Sequence, residues 1–164
     1  MPQNSLRTKP WNRVNLPVYS IASKYGECEN MHIITYATAI SMKPKKFICG
    51  VYVGTRTLEL ITNSGLFVLQ ILSDQQYRLV DLLGKKSGHD IDKIARLKKR
   101  GLIVEWEGFS VLKDCLSCIL LKVEKTIPGG DHAIFITEVI SYKNFNQGVA
   151  LSLDDLRKHR LIRI

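Results

Sequence analysis

No stretch of this sequence approaches the roughly 18 consecutive apolar residues that a membrane-spanning helix needs, and its first residues lack the apolar centre of a secretory signal. A helical membrane protein is therefore not expected, and a cytoplasmic protein is. Repeats and low-complexity tracts are missing as well, so the 164 residues read as one domain over 13–150, with a polar lead at 1–12 and a helix at 151–164. Cysteine is sparse. The four cysteines (Cys28, Cys49, Cys115 and Cys118) have no secretory context, so disulfides are not expected. Cys115-Leu-Ser-Cys118 has the spelling of a metal or redox pair, yet no second Cys/His pair stands at zinc spacing. The run around it reads as a strand, which would point i and i+3 side chains to opposite faces. No metal site is expected. Glycine and lysine nowhere take P-loop spacing, and no serine sits in a Gly-x-Ser-x-Gly elbow, which leaves a hydrolase weakly supported.

Acidic residues are outnumbered, 15 against 24 Lys and Arg, for a net charge of +9. Such an excess raises the question of nucleic acid, because clustered cations release counterions on meeting phosphates. The only tight clusters are Lys98-Lys99-Arg100 and Arg157-Lys158-His159-Arg160, and neither is interleaved with aromatics. Nucleic acid is not an expected partner; attraction for small anionic ligands is. An apolar fraction of 45% and a charged fraction of 24% are those of an ordinary globular chain.

Along the chain, Pro17 limits the first strand, around Val18–Ala22, to an edge or a late start, and Tyr25-Gly26-Glu27 marks a turn. Asn30–Ile40 is rich in β-branched and aromatic residues and predicts a single strand, with Thr35, Tyr36 and Thr38 placing hydroxyls on it. After Pro44, Phe47–Val53 is a continuous apolar strand of the doubly buried kind. Gly50 within it either weakens the strand or admits a flat group close to the backbone. Gly54-Thr55-Arg56-Thr57 opens a short helix, where hydroxyls, an arginine and free amides suit a phosphate or simply cap and solvate the helix start. Ser73-Asp-Gln-Gln76 is a capping box for a helix of about three turns to Gly84. The loop 84–93 is basic, glycine-bearing and hydroxyl-bearing, fit either to cradle phosphate or to sit in solvent, with a second helix capped by Asp90. Strands return at Leu102–Trp106, Leu116–Lys125 and Ala133–Tyr142, the last entered through Gly129-Gly130-Asp131-His132. His132 is either structural or a charge carrier near neutral pH. Ser152-Leu-Asp-Asp155 predicts a C-terminal helix of about ten residues. The sum is an α+β fold: a mainly antiparallel barrel of six or seven strands with two or three peripheral helices.

Several modest motifs recur in a fixed order. Ser41-Met42-Lys43-Pro44 ends the second apolar strand, Lys86-Ser87-Gly88-His89-Asp90-Ile91-Asp92-Lys93 follows the third, and Gly130-Asp131-His132 precedes Ile136-Thr137-Glu138-Val139. This order resembles the flavin reductase-like family, and its flavoredoxin-like branch in particular, over roughly residues 13–150. The resemblance implies an FMN-binding split barrel. Position by position, it implies that Thr35, Tyr36, Ala37 and Thr38 line the isoalloxazine edge, mostly through backbone groups. Cys49, Gly50 and Val51 would pass under the ring, and Arg56 and Thr57 would hold the phosphate. Lys86, Ser87 and Lys93 would add phosphate or dimer contacts, and His132 would sit where the nicotinamide ring of NADH or NADPH is positioned. The sequence departs from the family where Tyr36 replaces a frequent tryptophan, Lys45 a second proline and Thr137 a glycine. A homodimer is implied by the resemblance, as is hydride transfer from nicotinamide to flavin N5. An FMN electron carrier with an acceptor protein as partner, or a non-catalytic module for an anionic ligand, are the rival readings.

Overall fold

A computed structural model describes residues 8–162; the first seven residues of the expected polar lead and the last two of the expected C-terminal helix lie outside the described residues. Nine strands and four α-helices are described. Tyr19–Tyr25 (β1), Cys28–Ile34 (β2), Ala37–Met42 (β3) and Lys45–Tyr52 (β4) lead to helix Arg56–Ser64 (α1) and strand Leu66–Ile71 (β5). A 3-10 turn at Asp74–Leu79 runs into Val80–Lys85 (α2), then Lys93–Lys99 (α3), the hairpin Ile103–Trp106 (β6) and Phe109–Leu112 (β7), the long strands Ser117–Gly129 (β8) and His132–Asn144 (β9), and Leu153–Lys158 (α4).

Seven strands form one antiparallel sheet in the order β2-β1-β5-β8-β9-β4-β3, and β6 pairs only with β7. Its two edge strands, β2 and β3, are consecutive in sequence and joined by Thr35-Tyr36 alone, so the sheet curls until its edges face each other across that link. The split of the barrel lies there. Asn30–Ile40, expected to be one strand, is therefore two, on opposite edges of the sheet. Local β-propensity does not break at Tyr36; the Tyr36 carbonyl instead accepts from Gly50 N at 2.7 Å, and this tertiary bond turns the chain.

The pleat gives the sheet two apolar faces. Inside the curl, Ile21, Cys49, Val51, Phe67, Leu69, Leu121 and Phe135 are essentially without solvent contact, and α1 closes this core with Ile61. Outside, Ala22, Met31, Val68 and Leu120 are covered by α2, α3, α4 and the β6–β7 hairpin through Leu83, Leu97, Leu156 and Val111. Two tight turns fix register. Glu107 and Gly108 (φ 50 and 79) make the two-residue turn of β6–β7, and Gly130 (φ 78) with Asp131 makes that of β8–β9, so that Gly129 pairs with His132.

Helix starts follow the capping rules with two differences. The Ser73/Gln76 box forms as expected, with Gln76 Oε1 accepting from Ser73 N at 2.9 Å. Asp92, not Asp90, caps α3, accepting from Ala95 N at 2.8 Å, because the helix begins only at Lys93, while Asp90 lies in the preceding turn that closes on the Ser87 carbonyl. The C-terminal helix has a capping box at Ser152 but spans only Leu153–Lys158, with Arg160 at φ 56 ending it early. Cys115 precedes β8, so the alternation argument does not apply to it; its sulfur lies 3.5 Å from that of Cys118, both buried. No group of three His, Cys, Asp or Glu side chains that could hold a metal occurs among the described residues, and none of their helices is long and apolar enough to cross a membrane.

Candidate functional site

The groove at the split has two adjoining compartments, of about 340 and 290 Å³, which share His32, Tyr52, Gly84 and Lys85. The first is aromatic and apolar. Thr35, Tyr36, Gly50 and His132 form one wall, and Val80, Leu153 and Leu156 the other. The second is polar and basic, with Thr55 and Arg56 from the start of α1 facing Lys86, Ser87 and Gly88. A third cavity of about 450 Å³ lies on the other side of Tyr36 and His132 and includes Ala37, Thr38 and Asp131.

His132 is placed by the β8–β9 turn and by its pairing with Tyr52 across β4–β9. Its Nδ1 is 2.6 Å from Asp131 Oδ1, so Nδ1–H donates to the carboxylate and the ring's orientation is fixed. Tyr36 and Tyr52 flank it at ring-centroid distances of 5.1 and 5.3 Å, tilted and edge-on. The missing side chain at Gly50 leaves room for Tyr36 to pack against the β4 backbone. A Cβ on Gly50 would stand 3.2 Å from Tyr36 Cβ.

At the polar end, Thr55 caps α1: its hydroxyl accepts from Leu58 N at 3.2 Å and donates to the Tyr52 carbonyl at 2.9 Å. Arg56 is paired with Glu59 at 2.9 Å, which raises the guanidinium's already high pKa. Opposite, the loop after α2 is tied across the groove by His89 Nε2, 3.3 Å from the Gly54 carbonyl, and Gly88 lies directly on the Asn30 side chain. Asn30 in turn donates to Thr57 Oγ1 at 3.0 Å. No carboxylate lines this compartment among the described residues.

The structure thus gathers Thr35, Tyr36, Gly50, His132, Arg56, Lys86 and Ser87 on one groove, with Ala37 and Thr38 just beyond Tyr36. Four other expected residues turn their side chains elsewhere. Cys49 and Val51 flank Gly50 in β4 and point into the barrel, where burial pushes the Cys49 thiol up to about 12. Thr57 is fully buried beneath Asn30. Lys93 is buried too, its ammonium donating to the Leu83 carbonyl at 2.8 Å and its pKa lowered to about 8 by burial. Asn30, His32 and Tyr52 line the groove without having been singled out for it. Their only sequence signal is polar or aromatic side chains inside apolar strands. Burial, with the Lys93 charge second, lowers His32 to about 4, so its imidazole is neutral at ordinary pH.

Among solved structures, the chain is similar to a flavin reductase of styrene monooxygenase from Pseudomonas putida S12 (TM-score 0.71, 20% identity, 85% of this chain and 86% of that one). It is also similar to a flavoredoxin from Methanosarcina acetivorans (TM-score 0.70, 19% identity, 88% and 74%). An FMN-binding protein from Thermus thermophilus with bound 1-cyclohex-2-enone gives a TM-score of 0.73 at 19% identity over 88% and 75%. Residues 11–157 match the flavin reductase like domain, which takes in both edges of the split, the loop after α2 and the Gly-Asp-His turn, and the chain belongs to that family.

Proposed function

We propose that this groove binds FMN and that the protein is an NAD(P)H-dependent flavin reductase. The observation that carries the reading is the division of one continuous groove into an aromatic, apolar end and a basic, hydroxyl-bearing end, the two chemistries that a flavin ring and its phosphate demand. When bound, FMN supplies hydride-accepting chemistry at N5. The chain's own residues do the rest. Arg56, Lys86 and Ser87 neutralise and hold the phosphate, assisted by the free amides at the start of α1. Thr35, Tyr36, Ala37 and Thr38 present backbone groups and hydroxyls at the ring end, where Gly50 keeps the β4 backbone close. Asn30 braces the groove from its lining, and Thr57 and Lys93 hold its two sides in place from beneath. His132, oriented by Asp131, positions the nicotinamide of NADH or NADPH at the mouth between the two aromatic cavities.

The same reading includes a cytoplasmic homodimer. β3 is an edge strand with Ile40 and Met42 exposed, and such an edge is normally covered. The similarity to a flavoredoxin favours a second reading, an FMN electron carrier reduced by and passing electrons to another protein. Anaerobic addition of NADH and NADPH to the FMN-loaded protein separates the two. Rapid bleaching of the flavin band is expected of a reductase; binding of FMN without bleaching by either nucleotide would leave the carrier.

A further inference from the structure

The two compartments meet at a seam, and what lies at the seam is specified by neither end. Of the side chains shared by both compartments, Lys85 is paired with Asp81 at 2.7 Å and the Tyr52 ring packs edge-on against His132, while Gly84 has no side chain. His32 is different. It is half-buried in the middle of β2, on the same face as Asn30, and its ring nitrogens make no hydrogen bond among the described residues. No buried side-chain nitrogen or oxygen among them lacks a partner, so those nitrogens open onto the groove.

We propose that His32 is a specificity-determining residue that hydrogen-bonds the hydroxylated chain between the flavin ring and its phosphate, so that the site selects flavins carrying that chain. The inference rests on the flavin reading above and deepens it. A neutral imidazole offers one donor and one acceptor, the complement of a hydroxyl, which both donates and accepts. The ligand's five-carbon polyol must cross from the aromatic compartment to the basic one, and His32 stands where they join. Burial first, and the Lys93 charge second, keep the ring unprotonated; the Lys93 ammonium is committed to the Leu83 carbonyl and that of Lys85 to Asp81. A histidine is not needed for packing here, since the neighbouring positions of β2 on the other face, Met31 and Ile33, supply the apolar contacts.

The test is the affinity of three probes, FMN, riboflavin and lumiflavin, which carries the ring without the polyol, measured by quenching of flavin fluorescence. His32→Phe keeps a flat ring and removes both nitrogens; His32→Gln keeps a donor and an acceptor. His32→Phe should weaken FMN and riboflavin by the same factor, about three- to tenfold, as expected for one or two neutral hydrogen bonds. Lumiflavin should be unchanged, and His32→Gln should recover most of the loss. Unchanged riboflavin affinity in His32→Phe overturns the proposal, as does an equal loss for lumiflavin, which would mean packing alone, or a loss confined to FMN, which would mean phosphate contact. If His32→Phe does not fold, the ¹⁵N shifts of the wild-type His32 imidazole decide: riboflavin must move them and lumiflavin leave them, and no shift with riboflavin refutes the assignment. Failure of the wild-type protein to bind any of the three probes overturns the flavin reading itself, and this proposal with it.

Discussion

Replacing Gly88 with alanine should loosen the phosphate end of the groove while sparing the ring end. A Cβ there would lie 2.5 Å from Asn30 Oδ1 and 2.7 Å from both Cγ and Nδ2, about 1 Å inside ordinary contact. Asn30 cannot yield cheaply, because its amide donates to Thr57 Oγ1 and both residues are buried. Breaking that bond would leave a buried hydroxyl without its partner, at about 1–3 kcal/mol. The exposed loop at 86–90 is the softer side, so it should move, drawing Lys86 and Ser87 away from Arg56. Losing one charge-assisted bond to phosphate is worth about 1.5–3 kcal/mol, which is roughly tenfold or more in FMN affinity. Riboflavin, lacking phosphate, should change by less than about twofold. Fluorescence titration of both ligands reads this directly. In an Asn30→Ala background the clash is gone, so the effect of Gly88→Ala on FMN should largely vanish in a double-mutant cycle. Equal losses for FMN and riboflavin, or no loss of FMN, would show that Gly88 does not set the position of a phosphate-binding loop.

Two further expectations concern stability. Phe135→Ala empties the centre of the barrel, where Phe135 meets Phe67 at 6.1 Å, and should cost about 3–5 kcal/mol in urea denaturation; a loss below about 1 kcal/mol would mean that this core is not packed as described. His32 titrates near 4 in the folded protein against 6.5 unfolded, so between those values the unfolded chain binds more protons and stability must fall as pH falls. The loss should be on the order of 2 kcal/mol between pH 6.5 and 4, allowing for the ring's residual exposure. Lys93 is protonated in both states in that range, so it adds no slope. His32→Phe should flatten this part of the profile, and an unaltered slope in that variant would assign the acid sensitivity to other groups.

Much of this architecture is legible in local sequence where one local rule decides. The Ser73–Gln76 box, the Gly130-Asp131 turn and the apolar run of β4 each carry their own signal, and the antiparallel barrel follows from them. The break at Thr35-Tyr36 carries none, because β-branched residues continue through it and only the contact of Tyr36 with Gly50, fourteen positions on, divides the strand. For the same reason the groove's polar lining was only half visible. Arg56, Lys86 and Ser87 lie at helix ends and in loops, where basic and hydroxyl residues suggest an anion. Asn30 and His32 acquire their place only when β2 becomes an edge of the split. Cys115 lies in the turn ahead of β8, which begins at Ser117, so strand alternation does not reach it. Thr57 and Lys93 belong to the expected motifs, yet their side chains support the walls of the groove from beneath.

The central claim is that the groove holds FMN beside His132 for reduction by a nicotinamide nucleotide. The most direct test is an anaerobic absorbance record of the protein with added FMN, then with NADH or NADPH, for wild type and His132→Ala. The account predicts FMN binding by both proteins, bleaching of the flavin band in the wild type at catalytic rates, and bleaching at least tenfold slower in the variant. FMN binding with equal bleaching rates in the two proteins would contradict the role given to His132, and no perturbation of the flavin spectrum by the wild-type protein would contradict the account at its root.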